Sequence, residues 1–151
     1  MRKIAVLVLI SLFVLVVGPA AQAGENSATD SSAKSGKDVL SGDWAGFYQC
    51  RQGHTAVVVS LALENGFNVS GTFTFGNLPG RTNAAAGKYR IIGMFDAATG
   101  HLSMQPNGWI TQPAGYSQVG FTADLDRAAQ RLTGHVDFAS CSKISIERLS
   151  E

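Results

Sequence analysis

Much of the chain after Leu40 is written in two-residue alternation. Thr55 to Glu64 sets Val57, Val59, Leu61 and Leu63 on one side and Ala56, Val58, Ser60 and Ala62 on the other. A period of two with one apolar side predicts a half-buried β-strand. Glu64-Asn65-Gly66 follows, and Asn-Gly is the signal of a type I′ hairpin turn, whose two central residues both need positive φ. Phe67 to Phe75 continues the alternation, with Phe67, Val69, Gly71, Phe73 and Phe75 predicted inward. Tyr89, Ile91, Gly93 and Phe95 align in the same way, as do Leu102 and Met104. Tyr116 to Leu125 aligns Ser117, Val119, Phe121, Ala123 and Leu125. Arg131 to Phe138 aligns Leu132, Gly134, Val136 and Phe138, and the final run from Cys141 places Ile144 and Ile146 inward.

Between these runs stand short polar turns and two longer stretches. Asp96 to Gly100 reads as a type I turn ending in a left-handed glycine, and Asp126 to Gln130 as a single turn. Gly76 to Gly87 and Asn107 to Gly115 are predicted as the two long loops. The sum is an all-β domain: an antiparallel up-and-down barrel of about eight strands, with a two-sheet β-sandwich as the alternative. Closing the sheet into a barrel removes the two edge strands that an open meander would leave exposed. The inward glycines Gly71, Gly93 and Gly134 suit strands that bend sharply or crowd in a narrow barrel.

The first forty residues follow another pattern. Arg2 and Lys3 precede the unbroken apolar run Ile4 to Val17, then Gly18-Pro19 and the small-x-small site Ala21-Gln22-Ala23. This is the layout of a cleaved signal peptide over residues 1–23, with an apolar run shorter than the roughly 20 residues of a spanning helix. The expected address is therefore the periplasm or the exterior, with no stable membrane insertion after cleavage. Residues 24–40 are rich in Ser, Gly, Ala and charge and are expected to be a flexible polar linker, which leaves residues 41–151 as one domain.

Composition narrows the function classes. The chain carries 12 basic and 11 acidic residues, and loss of Arg2 and Lys3 would leave a slight acidic excess. Nucleic acid and anionic membrane surfaces select a basic face, so neither is an expected partner. The two cysteines, Cys50 and Cys141, point in an exported chain to one disulfide enclosing nearly the whole domain. By chain entropy such a closure contributes about 4–5 kcal/mol.

No catalytic, metal or cofactor set assembles from spacing. His54, His101 and His135 lack any metal-ligand pattern, and no nucleophile elbow, phosphate loop or Cys-x-x-Cys occurs. Asp124 and Asp126 flank Leu125 and are expected to serve a turn, with a paired-carboxylate hydrolase as the rival. The binding candidate is the aromatic stretch containing Trp109, Ile110, Pro113 and Tyr116, because Trp and Tyr join large apolar area to a polar tip. Alternatively, Trp109 plugs one barrel end. Arg51, Gln52 and Arg90 are candidates for the same rim.

The opening Trp44-x-Gly46-x-Tyr48-x-Cys50-x-Gln52-Gly53-x-Thr55, with Trp109-Ile110-x-x-Pro113-x-Gly115-Tyr116 and the closing Cys141, resembles a small β-domain of exported bacterial proteins of unassigned function. That resemblance covers residues 42–149 and implies no activity. The Tyr-x-Cys opening and late Cys are also similar to the periplasmic C-type lysozyme inhibitors, eight-stranded barrels that insert a Ser-Gly-x-x-Tyr loop into the lysozyme cleft. The corresponding stretch here is Ala86-Gly87-Lys88-Tyr89, without the Ser and one residue shorter before the Tyr, and this resemblance adds Lys88 and Tyr89 to the binding candidates. The expected role is a non-catalytic binding protein: an inhibitor, an immunity-type protein or an envelope-associated protein. Its partner would be another protein or an envelope component. A lipocalin-like carrier of a small apolar ligand and a hydrolase with an Asp/His site are the alternatives.

Overall fold

The computed structural model describes residues 39–77 and 85–150. The signal-peptide reading, most of the linker and the centre of the loop after Gly76 lie outside the described residues. Eight strands follow one another: β1 (Gly42–Cys50), β2 (Gly53–Glu64), β3 (Asn68–Gly76) and β4 (Gly87–Asp96), then β5 (His101–Thr111), β6 (Gly120–Asp126), β7 (Arg131–Asp137) and β8 (Cys141–Arg148). Each pairs antiparallel with its neighbours in sequence, and β1 pairs with β8, so the sheet is a closed barrel. The sandwich alternative is thereby replaced by full closure.

The alternation that predicted the strands is the alternation that fills the barrel. Val57, Val59, Leu61 and Leu63 are buried, as are Val69, Phe73 and Phe75 across from them. Tyr89, Ile91, Phe95, Leu102, Met104, Phe121, Leu132, Val136, Ile144 and Ile146 complete one continuous core. Burial of one such side chain contributes about 1.5–3 kcal/mol, so register is set strongly by which face is apolar. At Gly71, Gly93 and Gly134 an added Cβ would lie within about 2 Å of a carbonyl oxygen on the adjacent strand: Ser60, Ser103 and Thr122 respectively. Those inward glycines are places where two backbones press together, as a narrow barrel requires.

The seam between the first and last strands is covalent. Cys50 and Cys141 form a disulfide 91 positions apart in sequence, at the last residue of β1 and the first of β8. Among the described residues no free cysteine is left.

Several expectations at strand ends give way. Asn65 and Gly66 have the positive φ of the predicted turn (52° and 79°), but Glu64 pairs with Asn68. Phe67 is thus an extra residue in the turn and half exposed instead of inward. Phe138 likewise falls just beyond β7 and is exposed, because the strand ends at Asp137. Leu40, assigned to the linker, is wholly buried, and Val39 packs partly against the same core. The polar run before them hides how little of the linker's end is free.

The stretch predicted as a loop from Asn107 to Gly115 is strand as far as Thr111. It pairs only with β4, through irregularities on either side of Tyr89 that absorb Asn107, Gly108 and Ile110. The predicted strand from Tyr116 does not start until Gly120, and Ser117 is exposed. Here β5 pairs with β6 only over His101 to Met104, so beyond Met104 the wall divides. Residues 112–119 have no strand partner and cross the gap as a loop.

Candidate functional site

The strand order gives the barrel two unlike ends. One carries the turns after β2, β4 and β6, together with the N-terminal approach and the end of β8. The other carries the turn after β1, the long connections β3–β4 and β5–β6, the turn after β7 and the disulfide.

The first end is sealed. The indole of Trp44 is wholly buried and donates from Nε1 to the Leu40 carbonyl at 3.0 Å. The Arg148 guanidinium lies 4.5 Å from the Trp44 ring centre and donates to the Ser41 carbonyl (2.6 Å), the Val39 carbonyl (2.5 Å) and Gln130 Oε1 (2.8 Å). The Leu63 amide donates to Ser41 Oγ. Charge-assisted bonds to carbonyls, with the cation over an aromatic face, hold the segment 39–41 down as a lid.

The second end holds a cavity of about 220 Å³. Its aromatic walls are Tyr48, Phe75, Tyr89, Tyr116 and Phe138. Its polar groups include Gln52, Ser117 and Ser140, and both half-cystines contribute to one side. Each lies within two residues of a strand end or in a connection, and the cavity forms where β5 leaves β6. Tyr89 spans that gap: its hydroxyl donates to the Val119 carbonyl at 2.9 Å and accepts from the Val119 amide at 3.4 Å. Tyr116 stacks on Phe75, with centroids 5.5 Å apart, and its hydroxyl accepts from the Ala85 amide at 3.0 Å. That bond joins the two long connections across the mouth. Gly115, at φ 79°, lets the chain turn there.

Burial pushes the Tyr48 phenol up to about 12. The neighbouring Thr55 hydroxyl is close enough to oppose that shift, yet makes no hydrogen bond of normal length and angle. Burial also raises Tyr89, against the opposing bond to Val119. Both phenols are therefore neutral hydroxyls at physiological pH.

Of the candidates read from sequence, Gln52, Tyr89 and Tyr116 line this cavity. Trp109 stands behind the wall, edge-on to Tyr89 at 5.3 Å and to Phe75 at 6.3 Å. Pro113 lies against the Gly87 backbone beside the Phe75 ring, where a Cβ on Gly87 would strike both. Ile110 is exposed on the outer surface, and Arg51, Lys88 and Arg90 are not in the lining. The stretch Gly87-Lys88-Tyr89 is strand, with the Tyr89 ring turned into the core. Sequence reading missed Phe75, Phe138, Ser117 and Ser140 as lining. Phe75 and Phe138 carried a faint signal, since each is the last aromatic of its alternation beside a connection.

The described histidines and carboxylates lie elsewhere. His101 Nδ1 meets Asp124 Oδ1 at 2.7 Å on the outer surface between β5 and β6. Asp126 Oδ1 accepts from the amides of Ala128 and Ala129, the turn role expected of it. His54 stacks on Phe47 and lies 3.3 Å from Gln49 Oε1. Among the described residues no group of three metal-ligating side chains comes together.

The chain matches no protein-family model and no curated protein sequence.

Proposed function

We propose that the protein is an exported, non-catalytic binding protein of the inhibitor, immunity or envelope-associated kind, acting through the open end of the barrel. The supporting observation is the cavity there. Five aromatic walls and several hydroxyl and amide groups converge on a space held by a covalent seam, and no Asp, Glu, His, Lys or Arg is among the described residues that line it. Acid–base and nucleophilic catalysis need groups titrating near working pH within the cleft, whereas binding needs only shape, apolar area and a few oriented polar groups. The His101–Asp124 pair that a hydrolase reading would use lies on the flank of the barrel, away from this lining. Carriage of an extended apolar chain fits less well, because Phe73, Met104 and Phe121 fill the interior at full burial.

The disulfide supports an oxidising compartment, in keeping with the leader-like N terminus. The test is affinity capture from periplasm or culture fluid with the wild-type chain, Tyr116→Ala and, at the sealed end, Gln130→Ala. The expected result is a component retained by wild type and Gln130→Ala and lost with Tyr116→Ala. Equal retention by all three would reject the open end as the binding element.

A further inference from the structure

Resting on the reading that the open end binds, we infer that the cavity takes one uncharged pyranose-sized ring bearing hydroxyl or amide groups, a neutral hexose or N-acetylhexosamine unit. Three properties of the lining lead there. The first is size. About 220 Å³ falls below the roughly 300–1,000 Å³ of pockets that enclose drug-sized ligands, so the site has room to enclose a single ring.

The second is charge. A carboxylate or ammonium entering a partly enclosed site must exchange its hydration for a counter-charge, and the described lining provides none. Burial keeps the Tyr48 and Tyr89 phenols neutral, so neither adds negative charge to the lining. A neutral ligand meets no such penalty.

The third is the mixture of walls. Aromatic carbon from Phe75, Tyr48 and Tyr116 lines the space and suits the C–H groups of a saturated ring, and a purely apolar ligand would need nothing more. Yet Gln52, Ser117 and Ser140 also face the space, each with both donor and acceptor capacity, which is the complement of sugar hydroxyls. A ring rich in hydroxyls can partner these side chains where a hydrocarbon cannot.

The experiment is a titration of the full-length, disulfide-intact protein followed by amide chemical shifts. N-acetylglucosamine, glucose, glucuronate and phenol are compared on wild type, Tyr116→Ala, Gln52→Ala and the sealed-end variant Arg131→Ala. Saturable shifts at Gln52, Ser117 and Ser140 with a neutral sugar are expected, with a dissociation constant on the order of 1 mM, as suits so small a contact. Tyr116→Ala and Gln52→Ala should each weaken it at least fivefold, and Arg131→Ala should leave it unchanged. Because Gln52 is exposed, its replacement keeps the test valid even if loss of Tyr116 loosens the loop. Glucuronate binding as tightly as the neutral sugars would overturn the inferred neutrality, and phenol alone shifting the lining would overturn the sugar class. If no sugar binds while capture still depends on Tyr116, the ring assignment fails and the open-end reading stands. Failure of both rejects the two together.

Discussion

The two ends of this barrel are built from the same strands and solve the same problem in opposite ways. A barrel closes its edges laterally but leaves both mouths to be covered. At the sealed mouth one tryptophan fills the hole, and Arg148 ties three oxygen acceptors over it. At the open mouth the wall splits where β5 leaves β6, and the gap is bridged by phenol hydroxyls from Tyr89 and Tyr116 bonded to backbone amides and a carbonyl. The first solution spends its polar groups on chain carbonyls. The second leaves hydroxyls, an amide and aromatic faces pointing into an accessible space. One end is thus closed and the other open, and the proposed recognition belongs to the open one.

The comparison makes graded predictions. Replacing Cys50 and Cys141 together by Ser should lower unfolding free energy by about 4–5 kcal/mol, read from denaturant midpoints, and should loosen the open end, which the bond borders. Trp44→Ala should cost about 3–5 kcal/mol while leaving ligand-responsive amides at the other mouth unshifted. Arg148→Ala, which removes the ties over the indole, should cost about 2–3 kcal/mol and speed hydrogen exchange at Leu63 and Leu149. Tyr89→Phe should cost only about 1 kcal/mol, yet speed exchange at the Val119 amide. Equal loss of binding from sealed-end and open-end variants would erase the division between the two mouths.

The pH dependence separates the ends as well. Tyr48 and Tyr89 are held above the ordinary tyrosine value by burial at the open end. Their contribution is fully present below about pH 10, the unfolded value, and is lost as pH rises through the folded ones, toward 12 for Tyr48. Asp96, in a sealed-end turn, is held below the ordinary carboxylate value by the Thr99 hydroxyl and the Ala98 amide. Its contribution is present above that value and lost as pH falls through the folded one. An absorbance titration should show Tyr48 and Tyr89 still protonated near pH 11, with Tyr48 the first of the two to ionise above it.

How far the sequence foretold this depends on which residues a position must face. Strands such as Thr55–Glu64 were legible because every second side chain is buried, and a slip of one residue would expose all of them. Strand ends obey no such constraint, which is why Phe67 and Phe138 continue an inward series and yet are half exposed, Phe138 at the cavity mouth. The segment Trp109–Thr111 reads as loop because Pro106, Asn107 and Gly108 interrupt it, but pairing with β4 resumes past the irregularity. The reverse holds for Tyr116–Val119, which alternates like a strand and lacks a neighbour. The disulfide was legible from the count of two cysteines and the expected export. The cavity was not, because its lining comes from strand ends far apart in sequence that only barrel closure brings together.

The most direct test of where recognition happens is site-specific crosslinking in cells that naturally make the protein. A photoreactive phenylalanine analogue is placed at position 138, at the open mouth, or at position 130, at the sealed one. The account predicts a discrete adduct from position 138 that is lost on Tyr116→Ala, and none from position 130. An adduct formed only from position 130, or equally from both, would contradict it.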